Sequence, residues 1–371
     1  MTERDVRLLR MTLAEHPSQE ELDAFLETWD LEAEGASKSL LMSYFMKAHP
    51  DMKFPDYFGP RLKGLLEYFR FHNIKLIAQF KRIASKLAEN GIKVTIFKGG
   101  AMKHLRPALS RRMSDIDVLV DEKDYKAAGR VIEEMGYDVS WDEHSFDVHT
   151  KGSEDGILDV HKFIPMLTGQ EKEVMADIMG RAREADLFGV KGRILTEEDL
   201  VFSLLVNLSR NIMNNTSTGG ILFTHIDVKY LVDSREDFDW NIVADNARRS
   251  GSEEMVIFAV RFINSVVPGL LPQIMELSDS QVLDIATRVI YRRYLLCPLQ
   301  ERSHELGVGT VLKSPKLIPE FLKVRPRYTF LKLFRQRPAA ARRILAMHRE
   351  IMEPGYHFRK YLHRTGAPLL D

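Results

Sequence analysis

The chain has 371 residues, of which 44% are hydrophobic and 29% charged, and its 53 basic side chains balance 53 acidic ones. This composition is typical of a globular protein with two or three domains, and zero net charge leaves no overall field that would attract a polyanion. The single cysteine, Cys297, excludes an intramolecular disulfide and a cysteine zinc site. Charges throughout the first residues and the lack of a long apolar run predict a cytoplasmic protein without a signal peptide or membrane span.

The first segment, residues 1–91, has helical patterns and no catalytic constellation. Ser18 and Glu21 form a capping-box signature ahead of apolar residues at helical spacing. A short helix is predicted over 39–48, and a long amphipathic helix over 60–90, with Gly91 as its stop. We expect this N-terminal helical region to support packing, with a lid or a partner surface as the alternative.

Residues 92–195 are predicted to form a small α/β core with a mixed sheet, which makes the fold class α+β. The expected strands are 92–97, 115–120, 137–141, 145–150 and 157–163, and the expected helices are 100–106 and 123–135. Helical regions are expected on both sides of this core. Lys103 and His104, in the first of these helices, are candidates for triphosphate contacts, although a solvated helix face is the commoner role.

Two carboxylates lie in one predicted strand, Asp115 and Asp117. A period of two places them on the same face, where their charges repel each other and raise each other's pKa unless a cation neutralises them. Oxygen ligands on a rigid strand suit Mg²⁺, which keeps positions for water and substrate phosphates. The alternative is an edge strand with two solvated aspartates.

A Gly-Gly pair, Gly99 and Gly100, follows Lys98 and the apolar run at 94–97. A strand, two glycines and a helix let backbone N–H groups approach a phosphate. Gly-Gly alone usually marks only a turn, and its position fifteen residues before the Asp-x-Asp strand makes it a stronger indication.

Together these motifs resemble the DNA polymerase β-like nucleotidyltransferase superfamily. The sequences FKGGA at 97–101 and SDIDVLV at 114–120 are more narrowly similar to an uncharacterised bacterial nucleotidyltransferase family within it. The resemblance implies a third carboxylate on a later strand. Asp159, in Asp159-Val160-His161, fits the family pattern, and Asp147 in the preceding strand is its rival.

The resemblance also implies an activity and a set of residue roles. A nucleoside monophosphate, with ATP as the expected donor, would move from a triphosphate to a hydroxyl of an unidentified small molecule, protein or RNA, with Mg²⁺ or Mn²⁺ as cofactor. The implied catalytic and metal-binding residues are Asp115, Asp117 and Asp159. The implied nucleotide-binding residues are Lys98, Gly99, Gly100, Arg112 and Ser114.

Residues 196–300 are predicted to form a helical domain, with Thr196 and Asp199 at the cap of its first helix. Polar residues of this domain, such as His225 and Asp227, are expected to be exposed. We discount these two as metal ligands, because residues two apart on a helix do not face each other.

The last segment, 301–371, is a basic helical tail, with 14 lysines and arginines against 4 acidic residues from 311 onward. A solvated face is the simplest interpretation, and contact with RNA, an anionic glycan or an anionic membrane surface is the alternative. Two alternatives to an enzyme therefore stay open. One is a non-catalytic nucleotide-binding regulatory protein, and the other is an interaction protein that binds through this tail.

Overall fold

A computed structural model describes residues 3–30, 36–107, 113–141, 145–151, 156–164, 171–214, 218–272 and 274. Arg112, Cys297 and the basic tail lie outside these residues. In the described part the helices are α1 (Glu3–Leu13), α2 (Gln19–Leu26), α3 (Ala36–Ala48), α4 (Phe58–Glu89), α5 (Lys98–Leu105), α6 (Tyr125–Glu134), α7 (Glu171–Arg181), α8 (Glu197–Asn214), α9 (Thr218–Asp233), α10 (Trp240–Arg249) and α11 (Glu253–Val266). The strands are β1 (Thr95–Ile96), β2 (Ile116–Leu119), β3 (Tyr137–Trp141), β4 (Ser145–Thr150), β5 (Gly156–His161), β6 (Arg183–Leu187) and β7 (Val190–Ile194).

The seven strands form one mixed sheet in the order β3-β4-β5-β2-β1-β7-β6. Strand β2 pairs parallel with β5 and antiparallel with β1, so the two strands that carry the predicted carboxylates are neighbours. All four residues of β2 are buried, which fits its central position. The predicted fold class, a small mixed-sheet core flanked by helical regions, is confirmed.

The hairpin of β6 and β7 extends the sheet beyond the five strands expected from the sequence. Its two-residue turn consists of Phe188 and Gly189, both with positive φ (55° and 95°), a geometry that matches the twist of paired strands. Three of the five residues of β6, which reads READL, are charged, so its apolar signal is weak. The glycine at position 189 is the feature of the sequence from which a turn could have been predicted here.

Helix α4 is 32 residues long and begins and ends within two residues of the predicted bounds. Its apolar side chains recur at helical spacing and bury one face, and Gly91 stops it with a φ of 76°. Helix α4 contacts α6, β5 and β7, so it packs against the α/β core. The expected packing role of this region is therefore observed for one face of α4.

Helices from the two ends of the described chain pack together. Helices α1 and α3 contact α9, and the Arg10 guanidinium donates to the carbonyl of Val266 at 2.5 Å. The helices expected after residue 196 are present as α8 to α11, and the Thr196 hydroxyl accepts from the Asp199 backbone N–H as a cap. The division at residues 91, 195 and 300 remains a prediction.

Two polar residues of α9 differ from expectation, because His225 and Asp227 are both fully buried. The His225 Nδ1 lies 2.8 Å from the Ile221 carbonyl, and burial lowers the pKa of His225 to about 4. These side chains therefore belong to the helical core. Within the described residues, no helix combines the length and apolarity needed to cross a membrane.

Candidate active site

One row of aspartates crosses three neighbouring strands of the sheet. Asp117 of β2 is the register partner of Asp159 of β5, and Asp159 is also the partner of Asp147 of β4. Side chains of directly paired residues project from the same face. The structure therefore places both candidates for the third carboxylate on the face that carries Asp117.

Burial and contacts separate the two candidates. Asp159 is mostly buried and shares the His161 imidazole with Asp117, whereas Asp147 is exposed. The His161 Nε2 lies 2.7 Å from Asp159 Oδ2 and 3.3 Å from Asp117 Oδ1. His161 thus lies between the two carboxylates, as expected for a hydrogen-bond partner of Asp159.

The donor atoms of Asp117, Asp159 and His161 all lie within 4.8 Å of one another, close enough to share one cation. In the described part of the chain, Asp159 Oδ1 is buried without a hydrogen-bond partner. A buried carboxylate oxygen without a donor is costly, and a divalent cation would satisfy it. The residues present therefore fit a hard, oxygen-bound metal ion.

Lys98 supplies the positive charge next to this group. Its Nζ lies 2.6 Å from Asp117 Oδ1 and 3.4 Å from His161 Nε2. Lys98 has a φ of 47°, which is strained for a residue with a side chain, at the turn from β1 into α5. That turn directs the ammonium group back over the end of β2. The sequence placed Lys98 among the nucleotide-binding residues and gave no indication of its pairing with Asp117.

The two aspartates of the Asp-x-Asp motif have opposite pKa shifts. Burial alone would raise the pKa of Asp117, but the Lys98 ammonium and the His161 hydrogen bond outweigh burial and hold the pKa well below its usual range. Burial and the neighbouring Asp117 charge raise the pKa of Asp115 to about 6. Asp115 precedes β2 and is not among the three residues with converging donor atoms, so its metal contact remains a prediction.

The Gly-Gly pair lies in the first turn of α5, not in a separate loop. The α5 N-cap, Phe97, offers no side-chain acceptor, which leaves the first backbone N–H groups of the helix for an external partner. Gly100 is also needed for packing, since a Cβ there would lie 3.0 Å from Ile116 Cγ2 of β2. Gly99 is half-buried at the same turn.

Ser114 is exposed, and its hydroxyl donates to Asp115 Oδ1 at 3.0 Å. Helix α4 holds the backbone at Met113, which directly precedes Ser114. Asn73 Oδ1 accepts from the Met113 backbone N–H, and His72 Nε2 lies 3.1 Å from the Met113 carbonyl. The sequence did not indicate a role for His72 or Asn73, because two adjacent polar residues in an amphipathic helix are not a distinctive pattern.

Lys103 and His104 of α5 are half-buried. The Lys103 Nζ donates to the Pro107 carbonyl at 2.6 Å, and the His104 ring meets Phe188 edge-on. Both side chains have protein partners, and contact with a triphosphate remains a prediction.

A family model described as "Uncharacterised nucleotidyltransferase" matches residues 39–268, which is more than half of the chain. The chain belongs to this nucleotidyltransferase family. The match includes the core and most of the described helices on both sides of it, and it confirms the family suspected from the motifs.

Comparison with curated proteins found no match. Among solved structures, the chain is similar to the antibiotic-resistance factor ANT(2'')-Ia in its solution structure. The two are 15% identical with a TM-score of 0.36, and the match covers 47% of this chain and 90% of that one.

Proposed function

We propose that this nucleotidyltransferase moves a nucleoside monophosphate, AMP in the first instance, from its triphosphate to an acceptor hydroxyl. The observation that supports this most directly is the convergence of Asp117, Asp159 and His161 within 4.8 Å beside the N-terminus of α5. Carboxylates for a cation and free N–H groups for a phosphate lie side by side, which is what a metal-bound triphosphate needs.

In this proposal Asp115, Asp117 and Asp159 hold Mg²⁺ or Mn²⁺. Bound ions of this kind neutralise charge on the departing pyrophosphate and lower the pKa of an attacking hydroxyl. His161 keeps the Asp159 carboxylate oriented through its 2.7 Å contact with Oδ2, which leaves the buried Oδ1 available as a ligand oxygen.

Lys98 changes partner when the nucleotide binds. In the structure its ammonium neutralises Asp117 at 2.6 Å. That ammonium would be repelled by a cation at Asp117 and attracted by a triphosphate beside α5. Lys98 then contacts the phosphates, together with the N–H groups of Gly99 and Gly100. Ser114 and Arg112, the latter outside the described residues, complete the proposed nucleotide site.

The transfer itself breaks one phosphorus–oxygen bond and forms another. The acceptor oxygen bonds to the α-phosphorus, the bond from that phosphorus to the pyrophosphate breaks, and the hydroxyl proton is released to water. Positioning and charge stabilisation by these residues account for the rate, because no covalent enzyme intermediate is needed.

Titration calorimetry with ATP, CTP, GTP and UTP, each with and without Mg²⁺ or Mn²⁺, tests the proposal. We expect metal-dependent binding of at least one triphosphate, ATP first. Asp117→Asn should abolish the metal dependence. The matched control is Asp147→Asn, which changes the exposed aspartate of the same row and should leave binding unchanged.

Absence of metal-dependent binding for all four triphosphates would contradict the enzymatic function. Binding without pyrophosphate release at any acceptor concentration would instead favour the alternative, a nucleotide-binding regulatory protein. The other alternative, an interaction protein acting through the basic tail, involves residues outside the described part of the chain and remains a prediction.

A further inference from the structure

Helix α4 presents a stripe of aromatic and basic side chains on its exposed side. Four of the five large apolar side chains that are exposed among the described residues lie on this helix or at its N-cap: Tyr57 (58%), Tyr68 (64%), Phe71 (63%) and Ile74 (53%). The three rings recur with Arg61 and Lys75 at intervals of three, four or seven residues, which places these five residues on one helical face. We call this face the aromatic stripe.

Two of the cations lie over the rings of the stripe. The Arg61 guanidinium and the Lys75 ammonium are each 5.8 Å from a ring centroid, of Tyr57 and Phe71 respectively. From Tyr57 to Lys75 the stripe is about 27 Å long. A ligand lying along it meets alternating rings and positive charges.

The charge of α4 is strongly biased although the whole chain is neutral. The helix carries seven lysines and arginines against two glutamates, and all nine side chains are exposed. A surface that combines exposed aromatic rings with an excess of cations is complementary to a polyanion with stacking bases. An ordinary protein interface core is instead depleted of charge.

The positive field continues toward the nucleotide site. Lys103 of α5 has a lowered pKa, first because of burial and then because of the neighbouring charges of Lys47 and Arg70. Arg70 lies in α4, one residue before Phe71. Lys47 ends α3, so cations from three helices lie near one another beside α5.

The stripe lies close to the candidate active site along the chain and in space. Phe71 directly precedes His72, whose ring contacts the carbonyl of Met113 at 3.1 Å. Met113 is two residues before Asp115. Chain reach therefore limits the distance from Phe71 to the Asp-x-Asp motif to roughly 20 Å, the length of a few nucleotides.

We infer that the aromatic stripe binds single-stranded nucleic acid and that the terminal hydroxyl of the bound strand is the acceptor. This inference rests on the proposed function, because it names the acceptor of that same reaction. The strand's bases stack on Tyr68 and Phe71, and its phosphates contact Arg61 and Lys75. The terminal oxygen bonds to the α-phosphorus, pyrophosphate leaves, and the strand gains one nucleotide.

Fluorescence anisotropy with the full chain and short, labelled, mixed-sequence RNA and DNA strands tests the surface. We expect binding that weakens as salt rises, with Tyr68→Ala and Phe71→Ala each lowering affinity about tenfold. Phe71→Leu keeps most of the apolar area but removes the ring, so it should lose affinity like the alanine variant. Ile74→Ala, an exposed apolar change off the stripe, is the matched control and should have no effect.

The same variants separate the inference from the proposed function. Because the Phe71 side chain is exposed and is not among the residues proposed to bind the nucleotide, Phe71→Ala should leave ATP binding and the thermal melt unchanged. ATP binding without strand binding would overturn the inference and leave the proposed function intact. Strand binding without metal-dependent nucleotide binding would overturn the proposed function, and with it the acceptor role.

Two further results would overturn the inference. Full affinity in Phe71→Leu would mean that the ring does not stack on bases. A dimer in sedimentation velocity that Phe71→Ala dissociates would make the stripe a contact between two copies of the chain.

Extension of a labelled strand by one nucleotide, with RNA and DNA compared, would support the acceptor assignment.

Discussion

Asp115 and Asp117 share a motif but differ in their counterions. Asp117 is paired with Lys98 at 2.6 Å and with His161 at 3.3 Å, whereas Asp115 accepts a hydrogen bond from the Ser114 hydroxyl at 3.0 Å and, among the described residues, no direct cation contact to it is seen. In the metal-free protein, Asp117→Asn should therefore lower the free energy of unfolding by roughly 2–4 kcal/mol, because it breaks a largely buried ion pair. Asp115→Asn should raise it, because it removes a buried charge that repels its neighbour.

Urea unfolding at neutral pH in the presence of a chelator measures both effects. The two variants are each other's control, since they make the same chemical change two residues apart. Equal destabilisation by both would show that the difference in counterions does not control stability at this site.

The raised pKa of Asp115 predicts a pH dependence in the metal-free protein. An aspartate has a pKa near 3.8 when unfolded and, at this position, about 6 when folded, so between these values the folded state binds the extra proton. The free energy of unfolding should fall as pH rises from about 4 to 6, by on the order of 1–3 kcal/mol, and then level off. Asp115→Asn should remove this slope, and an unchanged slope in that variant would contradict the assignment.

The sequence indicated which acidic residues belong to the candidate site, but it did not indicate which cations and hydrogen bonds neutralise them. Two of the predicted carboxylates, Asp117 and Asp159, have oxygens that lie close together, whereas Asp115 is outside that group. The pairing of Lys98 with Asp117 depends on a strained turn at φ 47°, which no local pattern specifies. The spacing of Asp115 and Asp117 predicted that the two carboxylates raise each other's pKa. In the structure only the pKa of Asp115 is raised, and that of Asp117 is lowered.

At the scale of elements, the contact of α5 with β2 sets the position of the Gly99-Gly100 turn, which we propose binds phosphate. Gly100→Ala should lower the free energy of unfolding by about 1 kcal/mol and weaken triphosphate binding, because the added Cβ would lie 3.0 Å from Ile116 Cγ2 in a close-packed region. Gly64→Ala is the matched control, since a Cβ in that part of α4 meets nothing within 4 Å. There the helix propensity of alanine should raise stability by a similar amount.

Thermal melts and calorimetry on these two variants give the comparison. Stabilisation by both substitutions would mean that Ile116 moves aside at no cost and that Gly100 serves only the approach of a phosphate. Loss of triphosphate binding without loss of stability would point to the same conclusion.

Elements with strong periodicity were predicted best. The 32-residue α4, its glycine stop and the hairpin of β4 and β5 agree with their patterns to within a few residues. Helix α7 and the hairpin of β6 and β7 were not predicted, because charged residues interrupt the apolar pattern of each element. Contacts with the rest of the fold, which a local pattern does not show, stabilise these elements. Strand β1 covers only Thr95 and Ile96 of the predicted 92–97; the strained turn at Lys98 accounts for its early end but not for its late start.

At the scale of the whole molecule, helices from before and after the sheet in the described part of the chain pack on each other and on the α/β core. Helix α8 contacts α5, and a buried network of Arg181, Asp199 and Asn246 joins α7, α8 and α10 at distances of 2.7 to 3.1 Å. The aspartate of this network is fully buried with its charge paired, which fixes how the helices meet. Amphipathic patterns predicted these helices, but nothing in a single sequence indicates that α1 and α3 pack on α9.

The central claim is that Asp115, Asp117 and Asp159 form the metal site, with Asp147 outside it. Counting bound Mn²⁺ by electron paramagnetic resonance, in the full chain with ATP present, tests this most directly. We predict that Asp159→Asn loses at least one ion relative to the unsubstituted protein and that Asp147→Asn binds the same number. Full Mn²⁺ binding in Asp159→Asn together with loss in Asp147→Asn would contradict the account.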